Sequence, residues 1–281
     1  MRNCFVALLC FMVIAGGGCK DAPPASKAPA STPPARVAAS NSYLEAAARD
    51  VLDNRESVQR LAEPGTCPGH FDIRPSQVND LRRCRTLLRF SFQDSLDTAL
   101  SKLVQEGLKI HEVCIAGGMC EPPSYIAACR QVADALVADQ LIDRSAADRR
   151  LAAIETRVTA KGAWCREEIT KTGWSARRVV CSMHQEAFCK WLGLQVEATF
   201  TGADSASVGQ IQGAVRAGDS TPIAAVIANL PEGRRLADAL GKRLNAPVVV
   251  FGNFPLMQGE EPSFDELLAA NVAVLLKAGQ H

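Results

Sequence analysis

The strongest constraint on the fold is an alternation of short apolar strands with amphipathic helices, which runs through the chain twice. In the first half, strands are predicted at 37–40, 57–62, 86–90 and 108–113. In the second half, strands are predicted in RRVVCSM, VEATF, PIAAVIAN and PVVVF. Strands rich in Val, Ile and Ala that alternate with helices indicate parallel sheets covered on both faces. The sequence therefore predicts an α/β protein with two Rossmann-like lobes.

A long helical stretch separates the two halves. Ser145, followed three residues later by Asp148, fits a capping box at its start. Apolar residues then recur at helical spacing, and Gly173 fits a stop. We therefore predict an N-terminal lobe at 37–142, a connecting spine helix at 143–173 and a C-terminal lobe at 174–281. Bending a long helix breaks backbone hydrogen bonds, so the spine favours small lobe movements.

The N-terminus predicts export and a membrane anchor. Cys4 to Ala15 form an apolar run of 12 residues, which is short for a membrane span and typical of a signal peptide. Cys19 follows small glycines and resembles the lipobox cysteine of bacterial lipoproteins, which carries lipid and becomes the mature N-terminus. We expect a lipoprotein signal peptide at 1–18 and a Pro/Ala-rich tether at 19–36 that cannot form a core. An ordinary signal peptide cut nearby is the alternative.

Charge and motifs argue against several functional classes. The formal net charge is +1 and the basic residues do not cluster, so nothing indicates a nucleic-acid partner. No CxxC pair, Gly-rich phosphate loop or nucleophile elbow is present, so no enzyme class is supported. We therefore expect an exported, monomeric binding protein in the bacterial cell envelope.

Two of the four histidines fall where ligands bind in such folds. Ligands of open α/β sheets lie beyond the carboxyl ends of the strands. His70 follows a strand of the first half in CPGHFDIRPSQV, and His184 follows RRVVCSM in the second half. His111 lies inside a strand and is expected to serve packing. The sequence thus predicts one histidine from each lobe at a shared cleft.

Several segments resemble the zinc/manganese ABC-transporter solute-binding lipoproteins. They are the loop PGHFDIRPSQVNDL, the stretch MHQEAFCKWLGLQVEATF, the unit PIAAVIANLPEGRRLADALGKRLNAPVVVF, and the last helix with Asn271. The resemblance places His70 on the first metal ligand of that family. Gln185, rather than His184, falls on the third. The second ligand position falls near Gly117, and the fourth falls on Gly252 or Asn253, so neither carries the residue of the family.

The resemblance implies capture of a metal ion for an ABC permease in the membrane. Zinc requires four N, S or O donors, of which His70 and His184 would supply two. Further candidate ligands are Gln185, Cys120, Glu121 and Met119. Thiolate suits Zn²⁺, whereas thioether with imidazole favours copper, and the resemblance also allows Mn²⁺. The alternatives are the same fold with a non-metal or chelated-metal ligand, contacted by Arg74, Arg89 and Gln93, or a surface adhesion or scaffold lipoprotein.

Cysteine counting competes with a metal thiolate. Beyond the N-terminal segment the chain has eight cysteines: Cys67, Cys84, Cys114, Cys120, Cys129, Cys165, Cys181 and Cys189. An even number in an exported protein indicates disulfides. Proximity along the chain suggests the pairs 67–84, 114–120 and 181–189, and the spine helix could bring Cys165 beside Cys129. If all four pairs form, no thiolate remains for a metal.

Overall fold

The structure is a computed structural model that describes residues 36–53, 57–64, 73–219, 221–255, 257–258 and 261–279. The predicted signal peptide, the predicted tether up to residue 35 with Cys19, and the loop with Cys67 and His70 lie outside the described residues. Within the described ranges, no helix is both long and apolar enough to cross a membrane.

The first lobe is built on a parallel four-stranded sheet in the order β2-β1-β3-β4. Its strands are β1 Val37–Ala39, β2 Val58–Arg60, β3 Thr86–Phe90 and β4 Lys109–Val113. Its helices are α1 Ser42–Leu52, α2 Pro75–Leu81, α3 Ser95–Ala99, α4 Ser101–Gln105 and α5 Pro122–Ala138. The single helix predicted over 92–107 is instead a 3₁₀ turn, Ser91–Gln93, followed by α3 and α4.

The second lobe repeats this design. Its sheet is parallel, with the order β6-β5-β7-β8. The strands are β5 Arg178–Ser182, β6 Gln195–Phe200, β7 Ala225–Asn229 and β8 Val248–Phe251. The helices are α7 Glu186–Trp191, α8 Val208–Arg216, α9 Arg235–Leu244 and α10 Phe264–Ala278, and a small antiparallel hairpin, β9 Met257–Gln258 with β10 Glu261–Pro262, precedes α10. The predicted α/β class with two parallel-sheet lobes is confirmed.

The spine is the helix α6, Arg144–Lys171, which is 28 residues long. Asp143 occupies its N-cap position and makes no side-chain capping bond. The predicted capping box of Ser145 and Asp148 is therefore wrong, because the helix begins two residues earlier than that pair requires. The predicted spine itself is present, and Ile154, Val158 and Ile169 on it are buried.

One apolar core cluster runs through both lobes and the spine, and each lobe has a smaller cluster of its own. The shared cluster extends from Val37 in β1 to Leu275 in α10. Within it, Tyr125 of the first lobe stacks on Phe264 of the second, with ring centroids 4.0 Å apart. Gly118 lies so close to the second lobe that a Cβ atom there would stand 2.8 Å from Ala187 Cβ. Because burial of this shared surface stabilises the contact between the lobes, a wide opening of the cleft is unfavourable.

The cysteine prediction needs correction. Cys114, Cys120, Cys129, Cys165, Cys181 and Cys189 are all free thiols, so the pairs 114–120, 181–189 and 129–165 are not formed. Cys114 is exposed and directs its thiol at Glu112 Oε1, 3.3 Å away, whereas Cys120 is buried against the second lobe. The side chains of Cys114 and Cys120 thus point in different directions, although the two residues are close in sequence. The pair 67–84 includes a residue outside the described part of the chain and stays a prediction.

Candidate functional site

Polar side chains collect at the carboxyl edge of the second sheet, between β5 and β7. The chain leaves β5 towards β6 on one side and returns through β7 on the other, so a crevice opens between the ends of these two strands. Such switch points are the usual ligand sites of open α/β sheets. Gln185 ends the 3₁₀ turn after β5, and Asn229 is the last residue of β7.

Gln185 is fully buried and only partly hydrogen-bonded. Its Nε2 donates to Asn229 Oδ1 at 3.1 Å and to Asn253 Oδ1 at 2.8 Å. Its Oε1 is buried and has no hydrogen-bond partner among the described residues. A buried polar atom without a partner costs on the order of 1–3 kcal/mol, and in native proteins such an atom often has a role in binding an ion or a water molecule.

The first lobe contributes Cys120 to the same place. Its Sγ donates to Gly252 O at 3.0 Å and lies 3.8 Å from Asn253 Oδ1, the atom that also accepts from Gln185. Asn271 holds Gly252 from both sides, accepting from its N–H at 2.8 Å and donating to its carbonyl at 3.0 Å. We call Cys120, Gln185, Asn229, Asn253 and Asn271 the interlobe network.

Electrostatics keep this network neutral. Burial raises the pKa of the Cys120 thiol, and the hydrogen bond from Asn271 only partly opposes that effect. The other side chains of the network are amides, which carry no charge. Cys120 is therefore a protonated thiol at neutral pH unless a cation displaces the proton.

A second buried polar atom without a partner stands close by. Tyr43 is fully buried, and its hydroxyl has no hydrogen-bond partner in the described part of the chain. Burial raises the pKa of Tyr43 well above its ordinary value, and Cys129, Cys120 and Glu121 raise it further, which places the hydroxyl near the Cys120 loop. The seam between the lobes thus leaves both an oxygen acceptor and a hydroxyl unsatisfied.

The structure brings together only some of the predicted site residues. Cys120 and Gln185 meet in the interlobe network, whereas Met119 packs against the apolar core. Glu121 lies in the Cys120 loop, but its Oε2 accepts from the Gly118 N–H at 2.5 Å. His184 is 56% exposed and faces Glu232. His70 lies outside the described residues.

The residues proposed for a non-metal ligand mostly stabilise their own lobe. Arg89 is buried and forms a two-point ion pair with Asp97, at 2.7 and 2.6 Å. Gln93 is buried and accepts from the Ser40 hydroxyl at 2.6 Å. Arg74 is exposed and pairs with Glu63.

Two members of the site were not recognised in the sequence, namely Asn229 and Tyr43. The signal for Asn229 was available, because an amide ends an otherwise apolar strand, PIAAVIAN. Tyr43 carried no such signal, since a Tyr on the apolar face of a helix reads as core. The described residues hold no group of three His, Cys, Asp or Glu side chains that could bind a metal ion. A metal centre here would therefore need amide oxygens, His70, or both.

The fold defines a two-lobed α/β protein with a spine helix and a polar site at the seam between the lobes. Solved structures with this fold include the Mn-bound periplasmic metal-binding protein of Candidatus Liberibacter asiaticus, with TM-score 0.71, 13% identity and coverage of 86% of this chain and 98% of that one. Its Cd-bound form gives TM-score 0.72 at 14% identity, with the same coverage. A mutant of the laminin-binding adhesin Lmb of Streptococcus agalactiae gives TM-score 0.70 at 13% identity, covering 87% of this chain and 99% of that one.

Sequence comparison adds nothing to this likeness, because neither a protein-family profile nor a curated protein matches the chain. The resemblance noted in the sequence is confirmed at the level of the fold.

Proposed function

We propose that the protein is an extracytoplasmic receptor that captures a transition-metal ion between its lobes and passes it to an ABC importer. The observation that carries this proposal is the unsatisfied Gln185 Oε1, which is buried at a switch point beside the Cys120 thiol. Two solved structures of similar fold are, by their names, periplasmic metal-binding proteins with Mn and Cd bound. Zinc is the ion to test first.

The donor set suits a metal of the zinc class. Cys120 would lose its proton to solvent and become a thiolate ligand, Gln185 would offer Oε1, and His70 would supply an imidazole. Thiolate, imidazole and oxygen are all ordinary zinc ligands. β2 ends at Arg60 and α2 begins at Pro75, so the sequence that contains His70 follows the carboxyl end of β2. Glu121 in the Cys120 loop adds a second negative charge, which helps to offset the desolvation of a divalent ion.

Metal content is the test. The full chain, purified in mild detergent without chelator, would be analysed for bound metal and titrated with zinc against a chromophoric chelator. We expect one tight equivalent that the variants His70→Ala and Cys120→Ser both lose. His184→Ala is the matched control, since it removes an exposed imidazole and should leave this equivalent intact. Absence of any tight equivalent from the unaltered protein would refute the proposal.

The envelope location is part of the proposal. We propose lipid attachment at Cys19, with the Pro/Ala-rich segment as a spacer from the membrane. A Cys19→Ser variant should appear in the periplasmic or culture fraction, whereas the unaltered protein should sediment with membranes. An unchanged membrane fraction for Cys19→Ser would contradict the anchor.

A second candidate function is a surface adhesion or scaffold lipoprotein. It is favoured by the neutrality of the interlobe network and by the absence of any group of three charged or thiol donors within the described ranges. One solved structure of similar fold is named as a laminin-binding adhesin. The same titration separates the two functions, because a scaffold would bind no tight metal and its Tm would not respond to a chelator.

A further inference from the structure

A separate polar cluster lies on the outer rim of the second lobe. It consists of Ser182 at the end of β5, His184 in the following turn, and Glu232 in the 3₁₀ turn Leu230–Glu232 after β7. None of these side chains belongs to the interlobe network. His184 is, however, the immediate neighbour of Gln185, so the cluster adjoins the network from the solvent side.

The Glu232 carboxylate is fixed by two donors from neighbouring strand ends. The Ser182 hydroxyl donates to Oε2 at 2.5 Å, and the Gly202 N–H donates to Oε1 at 2.8 Å. The Glu232 side chain is only 16% exposed. A carboxylate that is oriented by hydrogen bonds in this way is typical of a metal ligand, because such outer partners fix the direction of the ligating oxygen.

The imidazole of His184 stands at a distance from this carboxylate that fits a shared ion. Its Nε2 lies 3.7 Å from Glu232 Oε1, which is too far for a hydrogen bond. Two ligands of one tetrahedral zinc ion, with metal–ligand bonds of about 2.0–2.2 Å, lie roughly 3.3–3.6 Å apart. The His184 side chain is exposed, so it can close the remaining gap by a small rotation. Its backbone N–H donates to Ser182 Oγ at 3.2 Å, which ties the turn to the same hydroxyl that orients Glu232.

We propose that His184 Nε2 and Glu232 Oε1 form a second, outer site for a divalent transition-metal ion, with water completing the coordination. With two protein ligands and open access, this site binds more weakly and exchanges faster than an enclosed one. Its place beside Gln185 makes it an entry position for an ion on the way to the seam. The entry role rests on the proposed function, whereas the site itself does not depend on the interlobe centre, because neither ligand belongs to the network.

The experiment is a zinc titration of the full chain in detergent by calorimetry, repeated with Co²⁺ and followed by its visible absorption. We expect a weaker equivalent in addition to any tight one. His184→Ala and Glu232→Gln should each abolish the weaker equivalent and leave the tight one unchanged. Ser182→Ala should weaken it by about tenfold or more, since outer-shell partners typically contribute about 10- to 100-fold in metal affinity.

The controls keep the two proposals apart. His111→Gln removes an imidazole in the middle of β4, in the first lobe, and should leave both equivalents intact. Urea unfolding of each variant shows that loss of binding is not loss of folding. If the weaker equivalent is lost in both ligand variants while no tight one exists, the outer site stands and the interlobe metal centre fails. If the unaltered protein lacks a weaker equivalent, or both variants retain it at full strength, the outer site is overturned.

Discussion

The molecule has two switch points, between β1 and β3 in the first lobe and between β5 and β7 in the second. Both are built from the same kinds of polar side chain, but they differ in how completely the hydrogen-bonding groups of these side chains are satisfied. In the first lobe, Ser40 donates to Gln93 Oε1, and Asn41 donates to the Ser40 hydroxyl while its own oxygen caps the first turn of α1. These three side chains bond one another and their own backbone. In the second lobe, Gln185 finds partners only for its nitrogen, and its oxygen has none among the described residues.

This difference indicates that the first network has a structural role and the second a role in binding a ligand. Satisfied buried polar groups stabilise a single conformation, whereas an unsatisfied one is a cost that persists where something else is gained. The first switch point therefore serves mainly to start α1 and to join it to the turn after β3. At the second switch point, Gln185 Oε1 remains available as an acceptor or ligand atom.

A charged cluster lies near the amino ends of β3 and β4 in the first sheet. It should contribute more to stability than the neutral polar network at either switch point. Asp139 is buried and accepts from Thr86, Lys109 and His111. Removing its charge in Asp139→Asn should lower the free energy of unfolding by about 2–3 kcal/mol at pH 7, because hydrogen bonds to charged groups are the strong ones. Urea unfolding measures this loss.

The same variant tests a pH dependence that the neutral networks lack. Burial alone would raise the pKa of Asp139, but hydrogen bonds from Thr86, Lys109 and His111 outweigh it and lower the pKa. The unfolded pKa is about 3.9, so this stabilisation is complete above about pH 4 and is lost as the pH falls below that value. The gap between Asp139→Asn and the unaltered protein should therefore narrow at pH 3. A constant gap would contradict the lowered pKa.

The next largest effect is expected at the first switch point. Gln93→Leu removes the acceptor of the Ser40 hydroxyl and of the Phe90 N–H, at 2.6 and 2.9 Å. Both donors would remain buried, so the free energy of unfolding should fall by about 2 kcal/mol. Zinc affinity should not change, because this network is complete without a ligand. A loss of zinc binding in a folded Gln93→Leu protein would show that the first lobe also takes part.

Much of this architecture could be predicted from the sequence, because it depends on periodicity. The helix predicted at 42–52 is found at Ser42–Leu52, and the strand predicted at 86–90 at Thr86–Phe90. The spine follows from apolar residues at helical spacing. Strand order and the shared core could not be predicted in this way, since they depend on contacts between distant segments.

The site was harder to predict, because it depends on the direction of single side chains. In the 3₁₀ turn Met183–Gln185, the side chains of two successive residues point in opposite directions: His184 faces solvent, whereas Gln185 is buried. Proximity in sequence likewise did not fix where a thiol points for Cys114 and Cys120, since Cys114 turns to Glu112 and Cys120 is buried against Gly252. Family resemblance placed Gln185 at the ligand position, but only the fold shows what its amide touches.

At the second switch point, stability and binding should separate. Gln185→Leu removes an oxygen without a partner, but it also removes the donor to the Asn229 oxygen and leaves the Asn253 oxygen with only the Cys120 thiol, 3.8 Å away. These effects partly cancel, so the free energy of unfolding should change by less than about 1 kcal/mol. Tight zinc binding should weaken at least about tenfold, or roughly 1.4 kcal/mol. A large stability loss with unchanged zinc affinity would make this network structural, like that of the first lobe.

The smallest effect, and the sharpest distinction, is expected at Tyr43. Tyr43→Phe deletes a buried hydroxyl that has no partner in the described part of the chain, while the ring keeps its edge contacts with Tyr125 and Phe264. Without metal, the free energy of unfolding should stay within about 0.5 kcal/mol of the unaltered value, or rise slightly, because no hydrogen bond is lost. If the hydroxyl supports a bound ion, zinc affinity should fall severalfold in the same variant. A drop in apo stability of more than about 1 kcal/mol would instead mean that the hydroxyl already has a partner, and the seam between the lobes would then hold one unsatisfied group rather than two.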